Sequence, residues 1–194
     1  MTLEHGLRVS YEKGDAAPWL QDSSVLAVFS FGQSPLLATE ARHVPIALPQ
    51  LDAEPVVEVW RVAGPVRSGN WEQLCWARSD SMTMGHLALD LREYDDMLRA
   101  SREAYEIVQD FLRQSPHHCP MKIWNYIPGI NVGQGDNECY REFCVGRAEA
   151  WSADPSEQPA MPAATAIGSP GEDHALQVYF LATGLPGTNV ENPR

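Results

Sequence analysis

The sequence predicts an α+β domain in which helices cover one face of a mixed or antiparallel β-sheet. Three observations carry that prediction. β-prone runs parted by Pro and Gly fill the first ninety residues, one long amphipathic helix follows, and strand, helix, strand and strand succeed one another to the end.

The elements follow in chain order. Ser24 to Phe31 is apolar and β-prone and is ended by Gly32. Val56 to Val62 alternates in polarity, the pattern of a strand with one wet and one buried face. Pro35, Pro45, Pro49, Pro55, Gly64 and Pro65 mark turns between such runs. Trp71 to Leu89 holds two more strands, and no solenoid-type repeat is present in the sequence. Asp90 with Glu93 three residues on has the spacing of a capping box. From there Leu91, Tyr94, Leu98, Ser101, Tyr105, Val108 and Leu112 recur at helical spacing as one packing stripe, and Ser115-Pro116 stops the helix. Met121 to Ile127 reads as a strand closed by Pro128-Gly129. After a glycine-rich connection, a second helix runs from about Asn137 to Trp151 with Asp136 as its N-cap. A Pro- and Ser-rich loop leads to two last strands, Ala163 to Ile167 and Leu176 to Thr183.

Size and charge bound the function. A chain of 194 residues makes one domain or two small ones. With 14 basic and 26 acidic residues the formal net charge is −12, and the pI is near 4.8. Nucleic acid and anionic membrane surfaces would be repelled, so neither is expected as a partner. No run approaches the ~20 apolar residues of a membrane span. Met1 to Gly6 lacks the features of a signal peptide, so the expected location is cytoplasmic. Cys75, Cys119, Cys139 and Cys144 are too sparse for a disulfide scaffold, and none forms Cys-x-x-Cys. His117-His118-Cys119 is too compact to converge on one ion, so no metal site is expected.

Gly133-Gln134-Gly135 before a helix invites a phosphate-binding reading. It fails in detail: a dinucleotide fingerprint would need glycine at Glu138, no P-loop lysine follows, and Asp136 and Glu138 repel phosphate. The six histidines (5, 43, 86, 117, 118 and 174) have no recognisable partner spacing. Cys144 lies near Arg147, which can activate a thiol, although a buried helix thiol is the simpler reading. On the second helix Tyr140, Cys144, Arg147 and Trp151 share one face, read here as facing inward. Arg147 is the exception on that face, because a guanidinium is costly to bury without an anion. The anion could be an internal carboxylate such as Glu138 or Glu149, or the carboxylate of a ligand.

Several runs resemble the chorismatase family. They are Trp124-Asn125-Tyr126-Ile127-Pro128-Gly129-Ile130-Asn131, then Tyr140-Arg141-Glu142-Phe143-Cys144-Val145-Gly146-Arg147-Ala148-Glu149-Ala150. They continue with Pro162-Ala163-Ala164-Thr165-Ala166-Ile167-Gly168, Val178-Tyr179-Phe180-Leu181-Ala182 and Val190-Glu191-Asn192-Pro193-Arg194. The resemblance covers about residues 121–194. It implies a YjgF-like (chorismate-mutase-like) fold and a hydrolase of secondary metabolism and aromatic compound biosynthesis. Such an enzyme removes the enolpyruvyl group of chorismate, releasing pyruvate with a dihydroxycyclohexadiene carboxylate or a hydroxybenzoate, without metal or organic cofactor. By the same resemblance Tyr140, Arg147 and Arg194 bind the substrate, a small dianion that needs at least two fixed positive groups.

Family members run longer than this chain. The expectation is that residues 1–194 form an N-terminal part, with a strand-rich segment 1–90 and a helix-strand-helix-strand-strand segment 91–194. The general acid/base is then expected beyond Arg194, which would leave this part alone inactive, with a face open to self-association. The alternative is a non-catalytic YjgF-like module that binds a small carboxylate or drives oligomerisation.

Overall fold

The computed structural model describes residues 6–37, 39–51, 54–152, 162–170 and 174–188. Among these, ten strands form two sheets. Strands β1 (Arg8–Lys13), β2 (Val25–Phe31), β3 (His43–Ile46) and β4 (Val56–Arg61) make a four-stranded sheet in the order β1-β4-β2-β3. Strands β5 (Arg67–Trp71), β6 (Leu74–Arg78), β7 (Met82–Asp90), β8 (Cys119–Pro128), β9 (Ala163–Ser169) and β10 (Ala175–Thr183) make a six-stranded sheet in the order β5-β6-β7-β10-β8-β9. Two long helices, α1 (Met97–Gln114) and α2 (Cys139–Ser152), complete the architecture.

The β2/β3 and β8/β9 pairs are parallel and the others antiparallel. Parallel neighbours need a long crossover, and α2 supplies the one between β8 and β9. Strand β10 slots between β7 and β8, joining the β5–β7 meander to the β8-α2-β9 unit. Its residues Ala175 to Phe180 are all buried, as a central strand covered on both faces requires.

Alternation along the strands splits the interior into layers. Leu87, Leu89, Ile123, Val178 and Phe180 pack under Ala104, Val108 and Phe111 of α1 and Phe143 of α2. The opposite face of the same sheet, with Met82, Met84, Tyr126 and Tyr179, meets Leu26, Phe29, Val44 and Trp60 of the four-stranded sheet. Phe29 and Tyr179 lock the two sheets with ring centres 5.0 Å apart. The outer face of the four-stranded sheet is covered at Val25, Val28, Val57 and Val59 by Ala16, Trp19 and Leu20. Full burial of one such side chain contributes about 1.5–3 kcal/mol.

The α+β class stands, with both helices on one face of a mixed sheet, but the expectation of one sheet is corrected to two. Segment 1–90 feeds both of them. The first helix also starts later than its sequence signal. Asp90 accepts from the Arg92 N–H and caps a single turn at Leu91–Glu93, whereas Asp96 accepts from the Arg99 N–H at 2.8 Å and caps α1. Tyr94 and Leu91 therefore precede the helix, and still pack against its core.

Candidate functional site

Two local features seat α2. The turn after β8 supplies its first acceptors: the Cys139 N–H donates to the Val132 carbonyl at 2.8 Å and the Tyr140 N–H to Ile130 at 3.1 Å. Asp136 is thus not the N-cap expected from sequence. It lies in the short turn Gly135–Asn137 and pairs with Arg141 at 3.2 Å. Gly133 has φ +100°, and a Cβ there would run into the Asn137 carbonyl, so this glycine serves a tight turn.

The second feature is the α1/α2 crossing. Gly146 brings α2 so near α1 that an added Cβ would collide with the Leu98 carbonyl and the Ser101 hydroxyl. The Glu142 carboxylate accepts from the Met97 N–H at 3.3 Å, and Glu149 lies 3.7 Å from Arg102. These contacts set the rotation of α2. Phe143, Gly146, Ala150 and Trp151 are buried. Tyr140 is 42% exposed, and Cys144 and Arg147 are half-buried. The stripe predicted to face inward thus lies on the flank of the helix and enters the core only at Trp151.

That flank gathers chemistry. The Arg147 guanidinium carbon sits 5.8 Å from the centre of the Tyr105 ring, within cation–π range. Tyr105, buried on α1, donates its hydroxyl to Asn125 Oδ1 at 2.9 Å, and Asn125 Nδ2 donates to the Thr165 carbonyl at 3.1 Å. One hydrogen-bonded line thus ties α1, β8 and β9 beneath Arg147. Phe143 and Trp151 flank Tyr105 edge-on, each with ring centres 6.2 Å away.

Charge effects follow from this proximity. Burial pushes the Tyr105 phenol up to about 12, against the opposing pull of Arg147 and Asn125. The Tyr140 phenol is raised first by its hydrogen bond to Cys144, then by the thiol's charge and by burial, again with Arg147 opposing. Arg147 is therefore the positive group shared by an exposed phenol and a buried one. A planar guanidinium beside a phenol and an aromatic wall suits a carboxylate carried on a ring.

The structure brings Tyr140, Cys144 and Arg147 together. Arg194 lies outside the described residues. Arg141, on the same helix as Arg147, pairs with Asp136 and Glu138, at 3.2 and 3.6 Å. Glu138 and Glu149, the internal carboxylates considered for Arg147 from the sequence, lie 3.6 and 3.7 Å from Arg141 and Arg102. His117 bonds to Thr83 Oγ1 at 2.8 Å and faces the Asp80 carbonyl at 3.2 Å, a structural tie between β7 and the end of α1. Sequence reasoning passed over Tyr105 and Asn125 as site residues. A polar Asn amid the apolar run of β8 was the available signal, because a buried amide demands partners.

The mixed two-sheet fold with both helices on one face matches the N-terminal part of chorismatases. The family described as "Chorismatase FkbO/Hyg5-like, N-terminal" matches residues 58–182, and the chain belongs to it. A chorismatase of Streptomyces hygroscopicus is 32% identical over 188 residues, covering 94% of this chain and 54% of the relative. A 3-hydroxybenzoate synthase from the same organism is 33% identical over 144 residues, covering 73% of this chain and 41% of the relative. A chorismatase crystal structure superposes with a TM-score of 0.74 at 30% identity, covering 93% of this chain and 54% of that one. The chain spans about half the length of the relatives it matches. No helix among the described residues is long and apolar enough to cross a membrane.

Proposed function

We propose that this chain is the substrate-holding part of an enzyme that hydrolyses the enolpyruvyl ether of chorismate. Arg147 on the flank of α2, set over Tyr105 and beside Tyr140, is the observation that carries the reading. Chorismate bears two carboxylates, and a guanidinium fork binds one of them in two-pronged fashion while a phenol hydroxyl orients it. Arg194 is the second positive group in this reading. Water adds to the ether carbon as a proton reaches the methylene, and the resulting hemiketal collapses to pyruvate and a ring alcohol. Proton delivery needs a positioned acid, which the reading places in the region that the longer relatives carry and this chain does not span.

The ring product is a dihydroxycyclohexadiene carboxylate or a hydroxybenzoate. Relatives named for chorismatase and for 3-hydroxybenzoate synthesis are about equally similar to this chain, so similarity does not choose between them. The reading includes a cytoplasmic, metal-independent enzyme of secondary metabolism. A YjgF-like arrangement, supported by two helices on one face of a mixed sheet, and self-association through a free face belong to it as well.

The test is pyruvate release from chorismate, followed in a coupled assay against a blank for spontaneous decay. The chain is assayed with and without the C-terminal region of a longer relative. Pyruvate formation that disappears in an Arg147→Ala variant supports the reading. Absence of pyruvate with both parts present overturns it.

A further inference from the structure

A concave site lies on the outer face of the four-stranded sheet, away from the helices. Residues 14–20, the turn after β2 and the start of β4 wall a cavity of about 370 Å³, within the ~300–1,000 Å³ range of small-molecule sites. Leu20, Phe31, Val56 and Val57 give it an apolar lining. One side is polar. Ser30, nearly fully buried, places Oγ 2.8 Å from His43 Nε2 and 3.4 Å from Gln33 Oε1, and all three residues line the cavity.

Among the described residues, the ionisable lining groups besides His43 are the carboxylates of Asp15 and Glu40, and no lysine or arginine lines the cavity. An anion entering here would lose its hydration with no positive group to replace it. Glu40 is already paired with Arg42 at 3.4 Å, so a cation gains little either. Burial holds the His43 imidazole below its usual range against the pull of Glu40, which keeps it neutral near pH 7. A serine hydroxyl, a neutral imidazole and a carboxamide each present hydrogen-bonding capacity of both kinds, and a ligand hydroxyl both donates and accepts.

We propose that this cavity binds a small uncharged ring compound through a hydroxyl group held by Ser30, His43 and Gln33. It is not the chorismate site. Both sheets separate it from α2, and its charge disfavours a dianion. Its fate is therefore independent of the reading of Arg147.

The probes are 4-hydroxybenzamide and 4-hydroxybenzoate, which match in size and hydroxyl and differ in charge. The readout is the NMR signal of the His43 ring, so any binding beside Arg147 does not register. The uncharged probe should shift that signal saturably with Kd of about 1 mM, typical of so small a ligand. The benzoate should bind at least about tenfold more weakly, and Ser30→Ala should weaken the benzamide by about tenfold. An unmoved His43 signal, equal binding of the two probes, or full binding by Ser30→Ala overturns the proposal. Should Ser30→Ala fail to fold, the comparison of the two probes on the native chain still decides.

Discussion

The Arg147 guanidinium rests 5.8 Å from the centre of the Tyr105 ring, and the same ring's hydroxyl donates to Asn125 at 2.9 Å. The surface cation and the buried amide of β8 are thus coupled through one side chain. Tyr105→Phe keeps the ring under Arg147 and deletes the hydroxyl, leaving the Asn125 acceptor buried without it. The expected cost is ~1–3 kcal/mol of unfolding free energy, read by urea denaturation. Chorismate affinity should change far less than in a variant of Arg147 itself.

The α1/α2 crossing has no room for a side chain at Gly146. Gly146→Ala should destabilise the fold by about 1–3 kcal/mol despite alanine's better helix propensity, because the new methyl meets the Leu98 carbonyl and the Ser101 hydroxyl. Thermal denaturation checks this. A stabilised variant would mean that the helices are not in close contact there.

His86 gives the fold a pH dependence. Burial, with a smaller contribution from His43, lowers its imidazole from 6.5 to about 4, against the opposing hydrogen bond to the Ala41 carbonyl. The unfolded chain takes up this proton near 6.5 and the folded chain only near 4. The contribution is complete above about 6.5 and is lost as pH falls toward 4, roughly 3 kcal/mol in all. His86→Gln retains a donor for Ala41, and its stability should fall less steeply over that window in denaturation series.

The start of α1 separates two aspartates of similar sequence signal. Asp96→Ala should cost about 1 kcal/mol, the usual loss of an N-cap. Asp90→Ala, which removes the cap of a single 3-10 turn and an ion pair with the exposed Arg92, should cost less than Asp96→Ala, within about 0.5 kcal/mol. Urea denaturation of the pair checks the boundary.

How far the sequence could be read follows from how each element earns its burial. Strands β2, β4, β6, β7, β8 and β10 and helix α1 were legible because their own apolar patterns match their packing, whereas β9 and α2 were located by the Pro- and Gly-rich segments that bound them. Strand β1 was not, since Arg8, Tyr11, Glu12 and Lys13 give an edge strand little apolar signal. Strand β3 is short, carries Pro45 and joins the sheet by pairing with β2. Strand β5, with Arg67, Ser68, Gly69 and Asn70, carries little apolar pattern and pairs only with β6 in the sheet. Asp90 gave the capping-box signal correctly and capped the wrong turn, because strand β7 runs on to Asp90 itself. On the site, spacing put Tyr140, Cys144 and Arg147 together. It could not show that the tight contact at Gly146 rolls their stripe outward, nor that Tyr105 on another helix comes beneath Arg147.

Calorimetric titration with chorismate measures most directly whether Arg147 anchors a substrate carboxylate. The native chain should bind saturably. Arg147→Ala should weaken binding at least about tenfold, which is ~1.4 kcal/mol, and Arg147→Lys should recover only part of it because a point charge lacks the planar fork. Equal affinity in native and Arg147→Ala chains, each folded by circular dichroism, would contradict the account.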